Sequence, residues 1–330
     1  VDLGEAGHHQ PGLVGQRHAV VAGRSCDMLA PVSSACHHPY VRDDQDLAFR
    51  SSTEDQQGLI GPHDPPAWTC LPGASTRALL LCDHASAAVP ATLAQLGLPE
   101  AAFQEHIAVD LHAAAVTRLL AARLGLSAFL HGYSRLVVDA NRSFDDPTLC
   151  PAISDGILVP GNVDLDRASR RQRWQQIHQP YHYAISEWLR PRLDAGESPA
   201  LISIHSFAPE LGGQARRWPI AVLWNQDGRI AQPLMHALRA LDGLDVGDNE
   251  PYSGRVGFGY TIAEHAEAHG LPHLLIELRQ DLLESAAQRE HWADLISRRL
   301  APLLDDPALY CRFDPKMRLA DGDNDARSSS

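Results

Sequence analysis

Four runs of aliphatic residues in this sequence end in side chains that can bind a proton, a metal or an anion. "ALLLC" runs into Asp83-His84, "SRLVVDA" into Asn141-Arg142, "ALISIH" ends on His205 and "HLLIE" on Glu277. Two neutral imidazoles and a carboxylate form a familiar donor set for catalytic zinc, which keeps one position open and lowers the pKa of a water there to about 7. A further carboxylate outside that set can act as general base, and a guanidinium offers a rigid fork that matches a substrate carboxylate. Each residue also has a plainer reading. A histidine at a strand end can be a hydrogen-bonded structural group, and Glu277 can be neutralised by Arg279 or another arginine.

The elements that must hold these residues read as an alternation of short β-type runs and longer helical patterns. Strands are expected at 77–82, in "SAFLHG", at 134–140, 200–205, 219–224 and 273–278, with helices at 101–125, 171–193, near 229–241, at 261–269 and at 285–304. Aliphatic strands alternating with helices imply an α/β domain whose mostly parallel or mixed central sheet is covered by helices on both faces. In such a sheet ligands gather beyond the carboxyl ends of the strands, where all four groups would meet. Residues 1–70 show no sustained period and are expected to form a poorly structured extension. Residues 71–313 are expected to form the single folded domain that carries these groups, and 314–330 a disordered tail.

The net charge of −13 argues against nucleic acid or an anionic membrane as partner and favours a small molecule. No apolar run reaches the length of a membrane span, and no secretion signal is visible, so the expected compartment is cytoplasmic. Six scattered cysteines read as free thiols. "GRVGFG" at 254–259 follows no strand pattern, which speaks against a dinucleotide site, and no G-x-S-x-G elbow supports a serine hydrolase. Tyr181 and His182 are expected to pack inside a helical region, and Arg170, Arg171 and Arg173 to line a solvated helix face.

The stretches "CDHAS", "HIAVD", "YSRLVVDANR", "IHSFAPELGGQARRWPIAVLW", "DNEPYSG" and "HLLIELRQDL", in this order from about Ala78 to Leu283, resemble the N-formylglutamate amidohydrolase family. The resemblance implies a zinc carboxypeptidase-like fold, one Zn2+ ion as cofactor, and hydrolysis of a small N-acyl group from an acidic amino acid. In the family's named reaction the products are formate and glutamate. It implies His84 and His205 as metal ligands, Glu277 as base and proton shuttle, and Arg142 with Asn141 as the grip on the substrate α-carboxylate. Arg135 would serve a second carboxylate or the developing oxyanion. Carboxypeptidase-like sites often place a glutamate where this chain has Ala87, so the remaining ligand is assigned to Asp110, on a helix face shared with His106; its alternative role is to orient a ligating histidine. The family tends to have glycine where this chain has His112. Alternative readings are a zinc deacylase or peptidase acting on another N-acyl amino acid, and a metal-free binding protein that has lost catalysis.

Overall fold

The computed structural model describes residues 58–256 and 259–314. Its strands are β1 (Trp68–Leu71), β2 (Ser75–Cys82), β3 (Leu126–His131), β4 (Ile153–Ser154), β5 (Ile157–Leu158), β6 (Ala200–Phe207), β7 (Glu210–Leu211), β8 (Gln214–Ala215), β9 (Ile220–Leu223), β10 (Val246–Asp248) and β11 (His273–Arg279). The α-helices are α1 (Ala113–Leu124), α2 (Arg167–Arg173), α3 (Gln179–Asp194), α4 (Ala231–Arg239), α5 (Tyr260–His265) and α6 (Ala286–Asp305).

Seven strands form one sheet in the order β1-β3-β2-β6-β11-β9-β10. The interior steps β3-β2, β2-β6 and β6-β11 are parallel, whereas β1 pairs with β3 and β9 with β11 in the antiparallel sense, so the sheet is mixed. β6 is buried along its whole length and β11 along all but its last residue, which is why both read as unbroken apolar runs. α1, α4 and α6 pack together on one side of the sheet, and α3 and α5 contact each other and the other side. Gly125 ends α1 with φ +64, the left-handed cap expected from the sequence.

Three expectations need correction. Residues 58–70 belong to the fold: Leu59 is buried, its N–H donates to Gln176 Oε1, and Trp68–Leu71 is an edge strand. The expected extension therefore overlaps the domain by these residues, while 1–57 and 315–330 lie outside the described residues. The expected helix over 101–125 is divided into a short 3₁₀ turn at Glu100–Gln104, an irregular link carrying His106 and Asp110, and α1. His112 precedes α1 at φ +68, a left-handed conformation natural to glycine, which explains the tendency noted at that position. The run 134–140 is not a strand. It crosses the interior as irregular backbone, with Tyr133, Leu136, Val137 and Val138 fully buried in a second apolar cluster and Ala140 fully buried in the main core.

An irregular segment can be buried only if its polar backbone groups find partners, and here side chains supply them. Asn162 Nδ2 donates to the Leu136 carbonyl, Arg173 Nη1 to that of Val137, His182 Nε2 to that of Ala140 and His178 Nε2 to that of Arg142. Tyr260 N–H caps the Asn141 carbonyl. His178 ends a π-helical turn, Trp174–His178, that joins α2 to α3 within one continuous helical run. Arg173 is thus a buried clamp and not part of a solvated face. Cys70 is disulfide-bonded, contrary to the expectation for all six cysteines, while Cys82, Cys150 and Cys311 are free.

Candidate active site

β6 and β11 are hydrogen-bonded parallel neighbours in which His205 and Glu277 are register partners, so both side chains leave the same face of the sheet. His84 lies two residues beyond the end of β2, on the other side of β6. Asp110 comes from the link before α1, and its N–H donates to the His84 carbonyl at 3.1 Å. One oxygen of Asp110, Oδ2, lies 3.3 Å from His84 Nδ1 and 2.7 Å from His205 Nδ1. The two imidazoles stand edge to face with centroids 5.0 Å apart. His84, Asp110 and His205 are all buried, and one donor atom from each lies within 4.8 Å of the others.

The far nitrogens are also engaged. His84 Nε2 faces Asp139 Oδ1 at 2.8 Å; His205 Nε2 faces Asp83 Oδ2 at 3.3 Å and the Ser203 hydroxyl at 3.0 Å. Asp83 in turn accepts from Tyr181 and Thr261 at 2.9 and 3.0 Å. A carboxylate behind each imidazole fixes the ring and favours the tautomer whose Nδ1 lone pair faces the cluster, an arrangement usual behind metal-ligating histidines. Two ligands about 2.05 Å from a tetrahedral ion stand about 3.3 Å apart, close to the spacing of His84 Nδ1 and Asp110 Oδ2. The donor set therefore fits a divalent cation. Burial disfavours charge on His205, yet its hydrogen bonds to Asp110 and Asp83 outweigh that and hold its pKa well above the usual value. Burial likewise opposes the ionised Asp110, but the charge of His84 and the hydrogen bond from His205 hold it below the usual carboxylate range.

Glu277 differs from these carboxylates. It is 7 % exposed, and its Oε2 has no hydrogen-bond partner among the described residues. Arg279, offered as its neutralising neighbour, instead pairs with Asp281 at 2.8 Å. Burial pushes the Glu277 carboxyl up to about 7; the charges of His205, His84 and Arg135 pull it down, and that of Asp110 pushes it up. A carboxyl with a pKa near neutrality can both take and return a proton.

The remaining sequence-derived residues are placed less centrally. Arg135 reaches Asp110 at 3.4 Å and Asp139 at 3.1 Å, bridging the cluster to the carboxylate behind His84. Asn141 is buried, and its Oδ1 accepts the Thr261 N–H. Arg142 donates to Thr148 Oγ1 and to the Asn141 carbonyl and stands 3.9 Å from Asp146. His106 does not share a face with Asp110; it pairs with Asp155 at 3.3 Å. Tyr181 and His182 are buried as expected, and Tyr181 also braces Asp83. Sequence reasoning missed Asp139, although it ends the run "SRLVV" just as Asp83 ends "ALLLC".

A mixed sheet thus sets two imidazoles and a paired carboxylate in one cluster beside a desolvated carboxyl. The family model for N-formylglutamate amidohydrolase matches residues 76–284. The chain belongs to this family and is a hydrolase acting on amides. Among solved structures, the gene product Atu2144 from Agrobacterium tumefaciens is 31% identical, with a TM-score of 0.71 over 74% of this chain and 98% of that one. The N-formylglutamate amidohydrolase from Ralstonia eutropha JMP134 is 21% identical, with a TM-score of 0.47 over 72% of this chain and 95% of that one. No curated protein matches.

Proposed function

We propose that this protein is a zinc-dependent amidohydrolase that removes a formyl or other small acyl group from the nitrogen of an acidic amino acid, N-formylglutamate being the type substrate. His84, Asp110 and His205 would hold the ion. The observation that carries the reading is Glu277, a desolvated carboxyl without a hydrogen-bond partner for Oε2, set by strand register beside a histidine of the three-donor cluster.

A zinc ion held by His84, Asp110 and His205 would supply Lewis acidity and lower the pKa of a water toward neutrality. Glu277 accepts the proton of the attacking water and delivers it to the amine nitrogen as the C–N bond breaks. Water is consumed, and formate and the free amino acid leave. Asp139 and Asp83 keep the two imidazoles oriented through the cycle. Arg135 restrains Asp110 and sets positive charge near the reacting centre, where oxyanion character develops. Arg142 is assigned to the substrate α-carboxylate, exchanging its 3.9 Å approach to Asp146 for a two-pronged contact, with Asn141 fixing the backbone beneath it.

Because Asp110 completes a three-donor set that Ala87 does not, the metal-free binding reading is the weaker one. Metal analysis of protein purified without chelator, combined with assays of formyl-, acetyl- and succinylglutamate, tests the proposal. Stoichiometric zinc with preferred release of formate is the expected result. Activity unchanged after complete removal of metal would overturn the metal assignment, and preference for a longer acyl group would overturn the substrate.

A further inference from the structure

The chain is strongly acidic, and several arginines near the cleft or on its supporting elements are neutralised. Arg135 has two carboxylates, Arg229 has Asp227 and Arg279 has Asp281. Arg216 is different. Among the described residues no carboxylate lies within 4.0 Å of its guanidinium, although the group is partly buried and firmly placed.

That placement comes from backbone and rings together. Arg216 follows β8 in the excursion that leaves the carboxyl end of β6, the end that carries His205. Its N–H donates to the Pro209 carbonyl at 2.8 Å, and its own carbonyl accepts from Arg279 Nη1 at 3.1 Å. Beyond this anchored stem the guanidinium lies 5.8 Å from the ring of Phe207 and 4.8 Å from that of Tyr252, and Nη1 donates to the Tyr252 hydroxyl at 2.9 Å. Through Arg279, the last residue of β11, and through β6 the stem is fixed to the two strands that carry Glu277 and His205. Burial and the charge of Glu277 raise the Tyr252 phenol's pKa, while Arg216 and Arg135 act in the opposite sense.

A preoriented guanidinium at the strand ends that carry His205 and Glu277 suits an anion, and its planar fork matches a carboxylate. We propose that Arg216, steadied by Tyr252, reads the side-chain carboxylate of the substrate and thereby selects acidic over neutral N-acyl amino acids. The inference rests on the amidohydrolase reading and adds a second anionic contact to the one assigned to Arg142. Tyr252 contributes its hydroxyl as a further donor and its ring as a wall.

The test compares wild type, Arg216→Met, Arg216→Lys and Tyr252→Phe, all supplied with zinc, on N-formylglutamate and on N-formylglutamine, whose side chain is a neutral amide of the same size. Arg216→Met is expected to lower kcat/KM on N-formylglutamate by about 100-fold, mainly through KM, and on N-formylglutamine by at least about tenfold less. Arg216→Lys restores part of the loss because the charge returns without the fork. Equal losses on both substrates, or a wild type that does not distinguish them, overturn the proposal. Calorimetric titration of glutamate and glutamine into wild type and Arg216→Met separates the two readings. Glutamate binding that depends on Arg216 in a protein that turns over neither substrate would leave the anion subsite standing and remove the amidohydrolase. Glutamate binding indifferent to Arg216→Met removes the subsite whatever the turnover.

Discussion

Replacing Glu277 with glutamine should cripple the enzyme and, at alkaline pH, stabilise it. The carboxyl moves from an ordinary value of 4.5 to about 7 on folding. A folded state with the higher pKa holds its proton more tightly, so ionising the group costs stability. The cost is absent below about pH 4.5, grows as pH rises, and is complete above about pH 7. The difference of about 2.5 units, at about 1.4 kcal/mol each, amounts to about 3.5 kcal/mol. The amide of Glu277→Gln would carry no charge to desolvate, so urea denaturation in the presence of chelator should show the variant more stable by up to about 3.5 kcal/mol at pH 8 and nearly equal to wild type at pH 4.5. In the zinc-loaded enzyme the same substitution should cut kcat by about 10²- to 10⁴-fold, the usual contribution of a positioned base, with zinc content unchanged. A variant no more stable than wild type at pH 8 would show that the carboxyl is not desolvated in the way its burial and unpartnered oxygen imply. Retained turnover would remove it from proton transfer.

His205→Ala should reduce zinc stoichiometry as measured by elemental analysis, and full loading would exclude it as a ligand. Asp139→Asn should weaken zinc affinity by about 10- to 100-fold in a competition titration while circular dichroism stays native, because it frees the His84 ring without removing a donor. His131 and His265 are held down to about 4 and His178 to about 3, mainly by burial, so in metal-free protein the stability these three groups contribute should be complete above about pH 6.5 and be lost toward pH 4. Each contributes about 1.4 kcal/mol per pH unit; His265→Gln should flatten denaturation midpoints plotted against pH by one proton, and an unchanged slope refutes the assignment. Gly259→Ala should lower the melting temperature, since at φ +86 the added Cβ would lie 2.5 Å from Asn141 Oδ1; an unchanged melting temperature would contradict that contact.

Legibility differed between the two kinds of buried chain in this protein. β2, β6 and β11 are runs buried over most of their length inside a sheet, and the polar residues at or just beyond their carboxyl ends, His84, His205 and Glu277, stood out for that reason. The run 134–140 is as aliphatic as those strands and as deeply buried, yet it pairs with side chains in place of a neighbouring strand. Hydrophobic pattern reports removal from water and is silent on which groups satisfy the backbone. The same blindness hid the irregular link that carries His106 and Asp110 and the left-handed turn at His112 from which α1 starts. Arg142 illustrates a third limit: its motif was visible, but its contacts to Thr148 and Asp146 come from a loop whose course no local pattern sets. Arg216 had no carboxylate neighbour in sequence to suggest its isolation, a property that exists only in three dimensions.

The pairing of His205 with Glu277 across two central strands makes the spacing between the proposed metal ligand and the proposed proton carrier a property of the sheet's hydrogen-bond ladder. Rim segments such as β7–β8 and the turn bearing Tyr252 can therefore be shortened, lengthened or exchanged without retuning the cutting machinery. For an engineer this is a workbench with a fixed blade and an adjustable fence: new N-acyl amino acids are sought by grafting rims, and the two strands are left untouched.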